Sequence, residues 1–184
     1  MLPQVYHDIM NYFYSKTVLL CGPLKQSFSE ENHHDIIVRL NDHWAQNEVC
    51  DVVYHSCGAD CLFLPYKNPQ ASALRWIFGL EFSPRWRDLV AILGQGRTLG
   101  ISCGPSPLWS FYCSLCSRVG PPLIGFVALA HLLSLPISQV TLTGMDMYNM
   151  DQSRTAHNLI KHREWLLDAA AHDCRLNITQ LCLR

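Results

Sequence analysis

Charge is scarce in this chain. Only 16% of its 184 residues are Asp, Glu, Lys or Arg, against roughly 25% in typical soluble domains. Hydrophobic residues make up 49%, and that balance excludes a disordered tail, a coiled coil and a highly charged linker. Neither sign dominates. Lys and Arg number 14 against 15 Asp and Glu, a formal net charge of −1, which excludes a broad polycationic face for nucleic-acid backbones. The nine His residues add positive charge only as pH falls toward about 6.

Several segment types are missing as well. Residues 1–15 carry neither a basic n-region nor a clean apolar run, so no signal peptide is expected. The most apolar stretch, residues 121–137, is interrupted by Gly125, His131 and Pro136. It falls short of the roughly 20 residues a membrane span needs and reads as a buried helix. With no anchor expected, a cytoplasmic or membrane-associated setting is the expectation. The Gly-x-Gly-x-x-Gly dinucleotide fingerprint is absent. The nine Cys are odd in number, so a complete intrachain disulfide framework leaves one thiol over. Length argues for a single domain over residues 1–184, since domains mostly run to about 100–150 residues.

What the chain does contain is a succession of short apolar runs. Residues 16–20, 35–41, 50–55, 89–93, 98–102 and 139–143 read as buried parallel strands, and residues 175–183 as a terminal strand. Helical spacing is found in residues 108–118, in the run from Ile124 to Leu133 that Pro136 ends, and in residues 156–172. Residues 64–87, with Pro65, Pro69 and Pro84, read as a loop. This alternation predicts an α/β fold: one Rossmann-like domain, a mainly parallel sheet and helices on both faces. Such sheets bind ligands at the carboxyl ends of their strands, beside the point where strand order reverses.

Three polar clusters stand at predicted strand ends. Gly22-Pro23 follows the first strand, where a phosphate loop or a simple turn belongs. Arg39-Leu40-Asn41-Asp42 ends the second, and the Asn41 amide offers donors and an acceptor to a sugar or base edge, or to the loop itself. Gly144-Met145-Asp146-Met147-Tyr148 ends the sixth. There a glycine permits close backbone approach, while Asp146 and Tyr148 can hydrogen-bond hydroxyls or phosphate. His157 opens the last helix, where the dipole lowers an imidazole's pKa and favours its neutral, basic form. His162 and His172 are expected at the surface. Cys113-x-x-Cys116 and Cys57-x₃-Cys61 have zinc-ligand spacing. However, Cys113 falls in a predicted helix without a Gly-rich knuckle, so no metal is expected and the thiols read as buried small hydrophobes. Asn177-Ile178-Thr179 fits the glycosylation sequon but lies in a predicted strand.

In their order and rough spacing these motifs resemble the sialyltransferases, both the bacterial lipooligosaccharide enzymes and the animal family. The first strand and Cys21-Gly22-Pro23 are similar to the family's strand-Gly-Asn-Gly-Pro start. Val38-Arg39-Leu40-Asn41 is similar to its Val-Arg-x-Asn. Residues 122–129 resemble the short motif, a Pro-Ser-Thr-Gly followed by an apolar helix. Residues 140–148 resemble the bacterial strand with its Gly-x-Asp-x-Tyr loop, and His157 falls where the family's catalytic His opens the last helix. The resemblance runs from about Thr17 to Cys182.

The resemblance implies a metal-independent, inverting glycosyltransferase without a cofactor, whose donor is CMP-sialic acid and whose acceptor is a glycan. It implies His157 as general base and Tyr148 as a hydrogen-bond donor to the departing phosphate. Gly22, Pro23, Asn41, Gly125, Gly144 and Asp146 would contact the donor. Bacterial members carry a second phosphate-binding Tyr where this chain has Arg154, whose guanidinium can pair with phosphate bidentately. Cys21 stands where the family has Asn, and Leu123 and Ile124 replace the short motif's Ser and Thr. A second expectation, from another class, is therefore a binding protein that keeps the fold without catalysis. A Rossmann methyltransferase is disfavoured, because no Gly-rich cofactor loop follows the first strand.

Overall fold

A computed structural model describes residues 4–23, 33–41, 49–56, 74–80, 98–101, 107–145 and 158–178. Seven strands form one sheet: β1 (Thr17–Cys21), β2 (Ile36–Leu40), β3 (Val52–His55), β4 (Trp76–Leu80), β5 (Thr98–Ile101), β6 (Gln139–Thr143) and β7 (Leu176–Asn177). Their spatial order is β5-β4-β3-β2-β1-β6-β7, and each neighbouring pair is parallel. The chain therefore steps outward from β1 to β5 and then returns to the other side of β1 as β6. The order reverses between β1 and β6, and their carboxyl ends mark the switch point.

Burial on both faces explains why these strands read as continuous apolar runs rather than as alternating ones. All five residues of β2 are buried, Arg39 included. Register sorts the side chains onto two faces. Leu19 lies beside Ile37 and Thr141, and Cys21 beside Arg39 and Thr143, so these six share a face, which Val53, His55 and Ile77 extend. The other face carries Val18, Leu20, Ile36, Val38, Leu40, Val52, Tyr54, Phe78, Val140 and Leu142, all within the main core.

Four helices are described: α1 (Gln4–Phe13), α2 (Pro107–Val119), α3 (Ile124–Ser134) and α4 (Leu159–His172). Helix α2 starts on a proline, which gives up only an amide that would lack a helical partner. It stops at Gly120, whose φ of +81° suits the left-handed stop that glycine adopts without strain. Helix α3 is apolar nearly all round, with Gly125 to Leu129, His131 and Leu132 buried, as the sequence predicts for the segment ahead of Pro136. Helix α4 begins at Asn158, whose Oδ1 accepts from the Lys161 amide at 3.0 Å, a side-chain cap. All four contribute side chains to the main core: Ile9 and Phe13, Leu115 and Val119, Phe126 to Leu129, and Leu166. The opposite face is buried too, with Leu19, Ile37, Val53 and Ile77 at most 3% exposed.

The α/β class and the parallel sheet are as expected from the sequence. Two elements differ from that expectation. Strand β4 lies within the stretch read as a loop, where Pro spacing hides a five-residue apolar run. Helix α1 was not anticipated, although Ile9 and Phe13 sit one turn apart on its inward side. The predicted strand at residues 89–93 lies outside the described residues.

Two polar devices fix the helices on the sheet, one buried and one partly exposed. The Tyr54 hydroxyl and His131 Nδ1 share a hydrogen bond of 2.5 Å, joining β3 to α3 inside an apolar shell that includes Phe78. Burial lowers the His131 pKa to about 3 and pushes that of Tyr54 upward, so both groups are neutral and the bond is satisfied without charge. Arg175, just before β7, donates to the carbonyls of Leu133 (2.6 Å) and Leu135 (3.1 Å) at the end of α3. It also pairs with Asp173 at 2.7 Å.

Candidate functional site

The carboxyl end of β1 meets that of β6 through backbone alone. The Gly22 amide donates to the Thr143 carbonyl at 2.7 Å, continuing the strand pairing one residue past β1. A Cβ on Gly22 would lie 2.6 Å from the Gly144 carbonyl carbon, a contact that no side chain tolerates without moving the backbone. Gly144 itself has φ +64°, the left-handed region open to glycine. Sequence and geometry thus agree on why both positions are glycine.

Met145 lies across this junction, 9% exposed. Its Cγ would stand 2.7 Å from a Cβ on Gly22, and its Cε 2.9 Å from a Cβ on Gly125. Gly125, in the first turn of α3, also faces Leu40 at the end of β2, 3.0 Å from such a Cβ. The next residue, Asn41, has φ +49°, a conformation Asn tolerates better than most residues. Its Oδ1 accepts from the Ser56 amide (2.7 Å) and hydroxyl (2.9 Å), pinning the end of β2 to the end of β3. Four residues singled out in sequence, Gly22, Asn41, Gly125 and Gly144, therefore gather around Leu40 and Met145, with Pro23 exposed beside them. Asp146, Tyr148, Arg154 and His157 lie outside the described residues.

His162 corrects an expectation. It is 0% exposed, whereas the sequence reading put it at the surface; His172 is exposed. The His162 ring packs edge-on against Phe126 at 4.6 Å. Its Nδ1 donates to the Asn158 carbonyl at 2.6 Å, and its Nε2 accepts from the Leu123 amide at 3.3 Å. It ties the start of α4, just after His157 in sequence, to the start of α3. The signal was available: Leu159, His162 and Leu166 recur at helical spacing and form the buried side of α4.

On the face of the sheet away from α3, polar side chains collect toward the same strand ends. Cys21, Arg39, His55, Thr141 and Thr143 are all under 9% exposed. Arg39 Nε donates to the Val49 carbonyl at 2.8 Å, and His34 Nε2 meets Thr141 Oγ1 at 3.1 Å. Burial raises the Cys50 thiol pKa despite Arg39 nearby, which argues against a nucleophilic role for that thiol. In the sequence Arg39 stands out only as part of a motif, and His55 does not stand out at all. Period-two alternation from Val53 to His55 carries the signal that both point the same way.

The cysteines are less uniform than expected. Cys21 and Cys50 are buried, Cys116 is intermediate, and Cys113 and Cys174 are exposed, because Cys113 lies on the solvent side of α2. Among the described residues no group of three or more His, Cys, Asp or Glu could hold a metal ion. No helix among them is long and apolar enough to cross a membrane. No protein-family model matches the chain, and no curated protein matches it.

Proposed function

We propose that the chain is a metal-independent, inverting glycosyltransferase that transfers sialic acid from CMP-sialic acid to a glycan acceptor. One observation carries the reading: Gly22, Gly125 and Gly144 meet around Met145 at the point where strand order reverses, with Asn41 at the end of the neighbouring β2. That is where a parallel sheet binds ligands, and these are positions that the sialyltransferase resemblance assigns to the donor. In this reading His157 takes the proton from the acceptor hydroxyl as it attacks the anomeric carbon. The bond to the CMP phosphate breaks with inversion. Tyr148 donates a hydrogen bond to the departing phosphate, and Arg154 neutralises its charge. The transition state resembles an oxocarbenium ion, so the rate gain comes from stabilising the leaving group and orienting the acceptor. His157 needs to be neutral to accept a proton, and a position ahead of a helix N-terminus favours that form.

The test is a thermal-shift titration with CMP, CDP and UDP, followed by turnover of CMP-sialic acid. A rise in melting temperature with CMP, and loss of turnover in His157→Ala, is the expected result. If none of the three nucleotides shifts the transition, the donor site is refuted. One observation favours a second reading, a catalytically degenerate binding protein: Met145 fills the space between Gly22 and Gly125, and Leu123 and Ile124 bring no hydroxyl to it. A CMP-induced shift without turnover by the wild-type chain would decide for that reading.

A further inference from the structure

Away from the strand ends, helices α2 and α4 border a groove of about 330 Å³ lined by Arg118, Val119, Lys161, Glu164, Trp165 and Asp168. The four α4 residues recur at positions i, i+3, i+4 and i+7, so they share one side of the helix. Val119 is 2% exposed, and Trp165 packs on Phe126 with ring centroids 5.6 Å apart, which anchors the aromatic ring. The charges around it are poorly used. Arg118 and Asp168 approach only to 3.5 Å, with side chains more than half exposed, and His172 Nδ1 stands 3.3 Å from Asp168. Among the described residues, neither the Lys161 ammonium nor the Glu164 carboxylate has a hydrogen-bond or ion-pair partner. Glu164 and Asp168 are like charges one turn apart, an arrangement that weakens an isolated helix.

We propose that this groove binds a neutral oligosaccharide. Two carboxylates repel an anion as strongly as Arg118 and Lys161 attract one, which disfavours phosphates and nucleotides. Four charged groups around one ring are too polar for an apolar ligand. Sugar hydroxyls both donate and accept: they donate to Glu164 and Asp168, accept from Arg118 and Lys161, and leave a C–H face for Trp165. The volume falls at the small end of ligand pockets, about 300–1,000 Å³, room for one or two sugar rings. Lys161 lies in the first turn of α4, four residues after His157 in sequence. The groove's role as the acceptor-side subsite rests on the transferase reading, whereas glycan binding itself does not.

The experiment is saturation-transfer NMR on the full chain with lactose, N-acetyllactosamine and chitobiose. Calorimetry with the best binder then compares wild type, Glu164→Gln and Asp168→Asn, and CMP is titrated into the same three proteins. The expected result is transfer to sugar C–H protons and about tenfold weaker glycan binding in each variant, the scale of one charge-assisted hydrogen bond. Melting temperature and CMP affinity should stay unchanged. Absence of transfer with all three disaccharides, or equal affinity in wild type and both variants, overturns the proposal. Charge-dependent glycan binding in a chain that ignores CMP upholds the groove and defeats the transferase reading.

Discussion

The two faces of the sheet follow different rules. On the face toward α3, the side chains of β1, β2, β3 and β6 are apolar from end to end, with Tyr54 the exception. On the opposite face polar side chains gather toward the carboxyl ends: Leu19 is followed by Cys21, Ile37 by Arg39 and Val53 by His55, while β6 supplies Thr141 and Thr143. All of these are buried. Burying a polar group stabilises nothing unless it is hydrogen-bonded, so the second face gives up apolar burial at the end where parallel sheets bind ligands. The first face holds the fold together. The second concentrates the buried polar groups, and departures from a simple core tend to accompany function.

Substitutions can break or sharpen this contrast. The largest effect belongs to the first face: Phe126→Ala removes a 2% exposed ring that packs on His162 and Trp165, and urea unfolding should show a loss of about 3–5 kcal/mol. On the second face, Arg39→Met keeps the aliphatic stem but strips the Val49 carbonyl of its donor. A loss of about 1–3 kcal/mol is expected by the same assay; a gain in stability would mean that the cation is retained for binding alone.

His131 tests the polar pair on the first face. Its pKa in the folded chain is about 3, against 6.5 for the free side chain, so the unfolded chain takes up the proton first. Its contribution is complete above pH about 6.5 and is lost as pH falls toward 3, at up to about 1.4 kcal/mol per pH unit. Unfolding free energy should drop by about 2 kcal/mol from this group between pH 6.5 and 5, and His131→Leu should remove that part of the slope. The smallest effect is at Asn41. Asn41→Ala loses two hydrogen bonds to Ser56 and puts Ala at φ +49°, a cost of about 1–2 kcal/mol. Asn41→Gly should recover the backbone part of that loss.

Much of this architecture is legible in the sequence, because a parallel sheet writes its strands as contiguous apolar runs. β2, β3, β5 and β6 fall within the predicted runs, β1 extends one residue past its run, and α2, α3 and α4 lie within a few residues of theirs. β4 is not legible: its Trp-Ile-Phe-Gly-Leu run is short and lies between prolines, where turn signals outweigh it. β7 is described at Leu176–Asn177, and residues 179–183 of the predicted terminal strand lie outside the described residues. At the site, glycines after strands were informative because close backbone approach has few other solutions. The partners of those glycines were not. Met145 was quoted as a motif position, yet its place against both Gly22 and Gly125 depends on how α3 crosses the sheet. His162 was misread because an imidazole with both nitrogens bonded to backbone behaves in a core much as an apolar residue does.

The guanidinium of Arg175 has a consequence for how the molecule opens. It holds the last carbonyls of α3, its own carbonyl receives the Val140 amide at 2.8 Å, and its neighbour Leu176 pairs with β6. Fraying of α3 from its carboxyl end therefore cannot proceed independently of the sheet edge. The end of α3, the start of β6 and the turn before β7 should open as one cooperative unit, and hydrogen exchange is expected to show their amide protons exchanging together, although residues 133 and 175 are far apart in the chain.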